Sequence, residues 1–276
     1  TSTPKAVAES ADSQTAGSAS VVATTTMLGD VTSEIVLCAG GTVEVLMPNG
    51  VDPHDFSASS DQIASMISAD LVVVNGLGLE SGLTDSLANA TSDGANVFEV
   101  TPPLDPIEFG AGSHSEEGHS DEEGHDDHGS LDPHFWFDMN RMATAAELIG
   151  AELAKTTGDE AYTACAQATA TQIRAAEGEV RALLESVPAD QRILVTDHEA
   201  LGYLADVYGY EVAGTVIPAG TTLAEPSSAD LAALVATINA EGITAIFSNT
   251  SSPTALAEAV AAESGTNIKV IPLYVE

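Results

Sequence analysis

"SVVATTTMLGDVTSEIV", residues 20–36, is the stretch whose reading decides the fold. Val21, Val22 and Ala23 make a short, continuous apolar run, which is how a strand covered on both faces reads. From Met27 onward the apolar side chains switch to helical spacing, so a buried strand feeds an amphipathic helix. The same alternation continues downstream. "TVEVLMPNG" (42–50) reads as a strand closed by a turn, "SSDQIASMISAD" (59–70) as a helix, "LVVVNG" (71–76) as a strand, and "ESGLTDSLANA" (80–90) as a helix before "ANVFEVTPP" (95–103). Short apolar strands alternating with helices predict parallel α/β layers.

The second half of the chain repeats this grammar. "QRILVTD" (191–197) is a predicted strand, "HEALGYLADVYG" (198–209) a helix and "EVAGTVIP" (211–218) a strand; "SSADLAALVATINAEG", "ITAIFSNT", "SPTALAEAVAAESG" and "NIKVIPLYVE" continue helix, strand, helix, strand. "VVATTT" pairs with "RILVTD", "VEVLMP" with "AGTVIP" and "DLVVVN" with "TAIFSN", at an offset of roughly 170 residues. The expected fold class is therefore α/β, with two similar lobes built on parallel sheets and joined by a single long helix. Residues 1–20, rich in Ser, Thr and Ala, read as a flexible tether that resembles the processed N-terminus of an exported protein. Residues 21–138 form the N-terminal lobe, 139–157 the linking helix and 158–276 the C-terminal lobe, with Gly158 as the expected C-cap and a further helix from Asp159 to about Ser186.

Inside the first lobe, residues 110–130 carry His114, His119, His125 and His128 among seven acidic residues and five glycines, with no apolar periodicity. This insertion is expected to be a disordered loop, either a weak metal-collecting segment or a solvated spacer.

Composition limits the partners. Of 276 residues, 44% are apolar, enough for real cores, while 7 Lys and Arg stand against 42 Asp and Glu for a formal charge of −35. Such a chain repels nucleic acid and anionic lipid surfaces and favours cations. No run of about 18 apolar residues spans a membrane. The two cysteines, Cys38 and Cys165, exclude a thiolate zinc cluster; they permit one disulfide in an oxidising compartment or two buried thiols.

In parallel sheets, ligands bind beyond the carboxyl ends of strands. Four side chains fall there: His54 after "TVEVLMP", His134 in "LDPHFWFD" before the long helix, His198 after "RILVT", and Glu276 after "KVIPLY". Three imidazoles and a carboxylate, drawn from both lobes, are a closed four-coordinate set for a borderline metal ion. His54 and His134 share the frame Asp-Pro-His, where Asp52 or Asp132 can hold the second ring N–H or local backbone donors. Trp136 is expected to pack behind the His134 turn.

"ATTTMLGDVTSEI", "PNGVDPHDFSASSDQI", "NGLGLE", "DPHFWFD" and "TDHEALGYLADVYGY" resemble the metal-specific solute-binding proteins of bacterial ABC importers, the zinc and manganese uptake family, from about residue 21 to the end. The resemblance implies His54, His134 and His198 as ligands, with the last carboxylate falling on Glu276 or a water in its place. It implies an extracytoplasmic, monomeric protein that captures zinc and delivers it to a membrane permease, in the periplasm or at the cell surface, with room for a lipid anchor on a residue before Thr1. A third imidazole and a His-rich loop go with zinc, and manganese is the alternative within the family. A zinc hydrolase and an adhesin-like surface protein are the competing classes; no general base is evident, although Asp197 and Glu199 flank His198, and no host-binding surface is marked.

Overall fold

Along the first strand, β1 (Ser20–Ala23), successive side chains serve different cores: Val21 and Ala23 point into one and Val22 into another. β3 (Leu71–Val74) divides the same way, Leu71 and Val73 against Val72 and Val74. A strand of period two covered on both faces must be apolar at every position, which explains the unbroken runs in the sequence. These strands belong to a computed structural model that describes residues 18–110 and 131–275.

β2 (Thr42–Val45) and β4 (Val97–Glu99) complete the first sheet in the order β2-β1-β3-β4, all parallel. α1 (Thr26–Ala39), α2 (Ser60–Ser68) and α3 (Thr84–Ser92) make the connections. Thr25 caps α1 by accepting the Leu28 N–H, and Gly40 ends it in the left-handed region. A capping box between Ser59 and Gln62 starts α2.

The second lobe has the same topology. β5 (Ile193–Thr196), β6 (Glu211–Thr215), β7 (Ala245–Asn249) and β8 (Lys269–Leu273) lie in the order β6-β5-β7-β8, again all parallel. α6 (Gly202–Tyr208), α7 (Ser228–Glu241) and α8 (Ala255–Glu263) connect them around a core that includes Val195, Leu234 and Ile246.

Between the sheets run α4 (Met139–Thr157) and α5 (Ala161–Glu185), separated at Gly158, whose φ of 75° ends α4. The buried side chains of α4, among them Ala143, Ile149 and Leu153, lie in the first lobe's core. Tyr162, Cys165 and Ala170 of α5 join that core, whereas its far end meets the second lobe: Arg181 donates to the Val207 carbonyl and Tyr210 to that of Leu184. Cys38 and Cys165 form a disulfide with Cα atoms 6.0 Å apart, so α1 is tied to the start of α5. Of the two fates open to these cysteines from the sequence, the bridge is the one found.

One expected helix is shorter than its sequence pattern. The helix predicted over 198–209 begins only at Gly202, because the backbone of His198 to Leu201 is drawn into other bonds. The Glu199 N–H donates to the Ala219 carbonyl and the Ala200 N–H to that of His198.

Candidate metal centre

His54, His134 and His198 are all fully buried and converge. Their ligand atoms lie within 4.8 Å of one another, and the ring centroids are 5.4–5.7 Å apart. Three imidazoles in a desolvated cluster make sense as donors around a cation. Zinc–nitrogen bonds of about 2.1 Å place ligating nitrogens about 3.4 Å apart in a tetrahedron, so the rings need only small inward shifts to close on an ion.

Each ring is set by local chemistry. Asp52 and Asp132 open identical turns, in which the Asp Oδ1 accepts the N–H of the histidine two residues on, at 2.9 Å in both cases. The intervening proline fixes φ, and the turn aims the imidazole without help from a helix or strand. Asp132 Oδ1 also lies 2.7 Å from His134 Nδ1, and Asp197 Oδ1 lies 3.0 Å from His198 Nδ1 while accepting the His198 N–H at 2.9 Å. A carboxylate on Nδ1 fixes the tautomer and leaves Nε2 as the nitrogen that could hold a metal ion. The backbone of His54 is held on its far side too: its carbonyl accepts from Ser81 Oγ and the Gly82 N–H. Gly82 is required there, since a Cβ would collide with the Phe56 carbonyl.

Carboxylates and amides behind the rings extend the framework across both lobes. Asp197 Oδ2 accepts the Asn249 N–H at 2.7 Å, at the end of β7. In the first lobe the matching N–H, that of Asn75 at the end of β3, goes to Glu80 at 2.7 Å, and Asn75 Nδ2 donates to the Pro133 carbonyl at 3.0 Å. Burial pushes the Glu80 carboxyl up, opposed by hydrogen bonds from Thr24, Asn75 and Gly76. Thr222 of the second lobe donates to Asp52 Oδ2 at 2.6 Å, so the turn carrying His54 is bonded to both lobes. Glu199, partly buried, is pushed up by desolvation and by Asp132, against the pull of His198 and His134. It lines two cavities of about 330 and 600 Å³ that reach Asp132 and Pro133, and Phe109 lines both as well.

Trp136 stands 5.2 Å from the His134 ring at a steep angle, and its Nε1 donates to the Val275 carbonyl at 2.9 Å. It is thus a packing residue that also holds the penultimate residue of the chain beside His134. Glu276 itself lies outside the described residues, as do His114, His119, His125 and His128. The sequence reading overlooked Asn75, Asn249 and Tyr203, and left Asp197 without an orienting role. Only their partners in space reveal what they do, although Asn75 and Asn249 occupy matching places in the repeated strands.

A family model described as zinc-uptake complex component A, periplasmic, matches residues 21–276. Zinc-binding protein TroA of Treponema pallidum (strain Nichols) is 30% identical over 250 residues, 88% of this chain and 74% of TroA. Manganese-binding lipoprotein MntA of Halalkalibacterium halodurans is 29% identical over 198 residues, 70% of this chain and 59% of MntA, so the chain spans less than two thirds of that relative. Among solved structures, periplasmic zinc binding protein TroA from Treponema pallidum matches with a TM-score of 0.78 at 28% identity, covering 94% of this chain and 89% of that one. Laminin-binding protein Lmb of Streptococcus agalactiae matches with a TM-score of 0.73 at 24% identity, over 92% of this chain and 88% of Lmb, a likeness of fold alone.

Proposed function

The chain belongs to the family of the periplasmic zinc-uptake component A, and from that premise we propose that it captures one zinc ion and delivers it to an ABC-type permease. The observation that carries the reading is the convergence of His54, His134 and His198, all buried, with His134 and His198 each held at Nδ1 by a carboxylate. Nitrogen-rich, four-coordinate sites favour zinc, whereas manganese prefers more oxygen and six-coordination. The likeness to MntA keeps manganese as the second reading.

Glu276 supplies the fourth ligand in this proposal. Support comes from Val275, whose carbonyl accepts from Trp136, a side chain whose ring stands 5.2 Å from that of His134. An anionic oxygen there offsets charge that three neutral imidazoles leave. His114, His119, His125 and His128 provide further, weaker zinc binding outside this set. The connection between lobes we assign to α5 rather than to residues 139–157, because α5 carries the Cys165 bridge at one end and the Val207 and Tyr210 contacts at the other. The lobes are then 21–157 and 186–276.

The role is that of a carrier. Asp132 and Asp197, which touch two of the rings, are taken up in orienting histidines, which leaves them unsuited to activating a water. Among the described residues no helix is long and apolar enough to cross a membrane. The proposed carrier works as a monomer in the periplasm or at the cell surface, as the family's periplasmic description suggests. The deciding measurement is elemental analysis, with competitive titration of zinc against manganese, on protein prepared without chelator or His-tag. One tightly held zinc per chain is expected; preferential retention of manganese would replace the zinc reading.

A further inference from the structure

Tyr203 lies on α6, in the second lobe just after His198, yet its fully buried ring is part of the first lobe's core together with Phe135 and Ala146. Its hydroxyl meets two backbone groups of that lobe. It accepts the Ile107 N–H at 3.2 Å and donates to the Asp132 carbonyl at 2.9 Å, while the Asp132 N–H donates to the Ile107 carbonyl at 2.8 Å. Arg141 covers the ring, its guanidinium 5.0 Å from the centroid, and donates to the Leu104 and Asp105 carbonyls on the same segment. One phenol therefore closes a ring of hydrogen bonds around the residue whose carboxylate holds His134.

We infer that Tyr203 is a positioning residue of the metal site: its hydroxyl sets Asp132 and, through it, the His134 ring, so that the lobe contributing His198 also registers His134. Packing alone does not account for it, because phenylalanine fills the same space without a group directed at the two backbones. Burial pushes the phenol up to about 12, so it remains a hydrogen-bond donor across the working pH range. A carboxylate that orients a ligating imidazole tolerates little rotation, and here its backbone is fixed from outside its own lobe. The inference rests on the three-histidine reading and deepens it.

Tyr203→Phe tests it by removing only the hydroxyl. Zinc affinity, by competition with a chromophoric chelator, should fall about tenfold, the lower end of what loss of an outer partner to a metal ligand does. The visible absorption of the cobalt(II) form should change as the His134 ring tilts. Tyr210→Phe, which loses a similar bond to the Leu184 carbonyl at 2.8 Å, should alter neither reading. Because Tyr203 acts through Asp132, the double variant with Asp132→Asn should bind no more weakly than Asp132→Asn alone. Hydrogen exchange on the unaltered chain gives a reading independent of whether the variant folds: zinc should slow exchange of the Ile107 amide. Parent-like affinity and cobalt spectrum in Tyr203→Phe, multiplying losses in the double variant, or an Ile107 amide indifferent to zinc would each overturn the inference. Failure of the parent chain to bind zinc would instead remove the three-histidine reading beneath it.

Discussion

The two lobes share one topology but finish their first strands differently. The amide following β2 in the first lobe, Leu46 N–H, bonds to Ala23, and its counterpart after β6, Val216 N–H, bonds to Thr196; Thr25 and His198 thus hold equivalent places. Thr25 caps the fourteen-residue α1. His198 turns its ring to those of His54 and His134 instead, and the helix that follows begins late, spans seven residues and has no side-chain cap. The first lobe keeps the stable strand-to-helix junction and supplies histidines from turns; the second gives up that junction to place an imidazole directly at a strand end. The carboxylates differ in the same way. Asp197 both orients His198 and accepts the Asn249 N–H, duties that the first lobe divides between Asp132 and Glu80.

The largest effects test whether both lobes supply ligands. His54→Ala and His198→Ala should each weaken zinc binding by orders of magnitude in competitive titration, because an open position is filled less well by water. Parent-like affinity in either variant would remove that histidine from the ligand set. For the parent, affinity should drop as the medium is acidified, because protons compete with the ion for the imidazole nitrogens.

Next in size is the division of labour among carboxylates. Asp132→Asn and Asp197→Asn should each lower zinc affinity by about 10- to 100-fold. Asp197→Asn should also destabilise the metal-free protein more than Asp132→Asn, since it alone serves the end of β7. Equal melting temperatures for the two metal-free variants would show the duties to be as separate in the second lobe as in the first.

Covalent support is one-sided as well. Cys38→Ser with Cys165→Ser should remove about 2–4 kcal/mol of unfolding stability in denaturant titration, with zinc stoichiometry unchanged, since the bridge ties α1 to α5 away from the histidines. Loss of the zinc site in that variant would mean the bridge sets the lobe geometry.

The smallest effect belongs to the cap. Thr25→Ala should cost about 1 kcal/mol in stability while zinc affinity stays put. A fall in affinity would show that the junction in the first lobe serves the site after all.

What was legible in the amino-acid sequence is what local chemistry dictates. The unbroken apolar run at β1 and the helical spacing from Met27 report the environment of each residue along its own element, so the order of strands and helices in both lobes could be read directly. The Asp-Pro-His turns are local too: a carboxylate two residues before each imidazole, with proline between, needs no distant partner to form. His198 was placed at a strand end by the same logic, but the delayed start of α6 was not, because it follows from an amide bonding to Ala219 across the lobe.

Only the tertiary structure decided which side chains meet. His54, His134 and His198 are separated along the chain by whole elements, and the folding of both sheets is what brings their ligand atoms within 4.8 Å. Cys38 and Cys165 are 127 residues apart, and nothing in their surroundings along the chain distinguishes a bridge from two thiols. Tyr203 fits an ordinary helix pattern, yet its ring is buried in the other lobe's core. Periodicity records whether a side chain is covered; its partner is set by how two separately formed sheets pack through α4 and α5, and those long-range contacts leave no local trace.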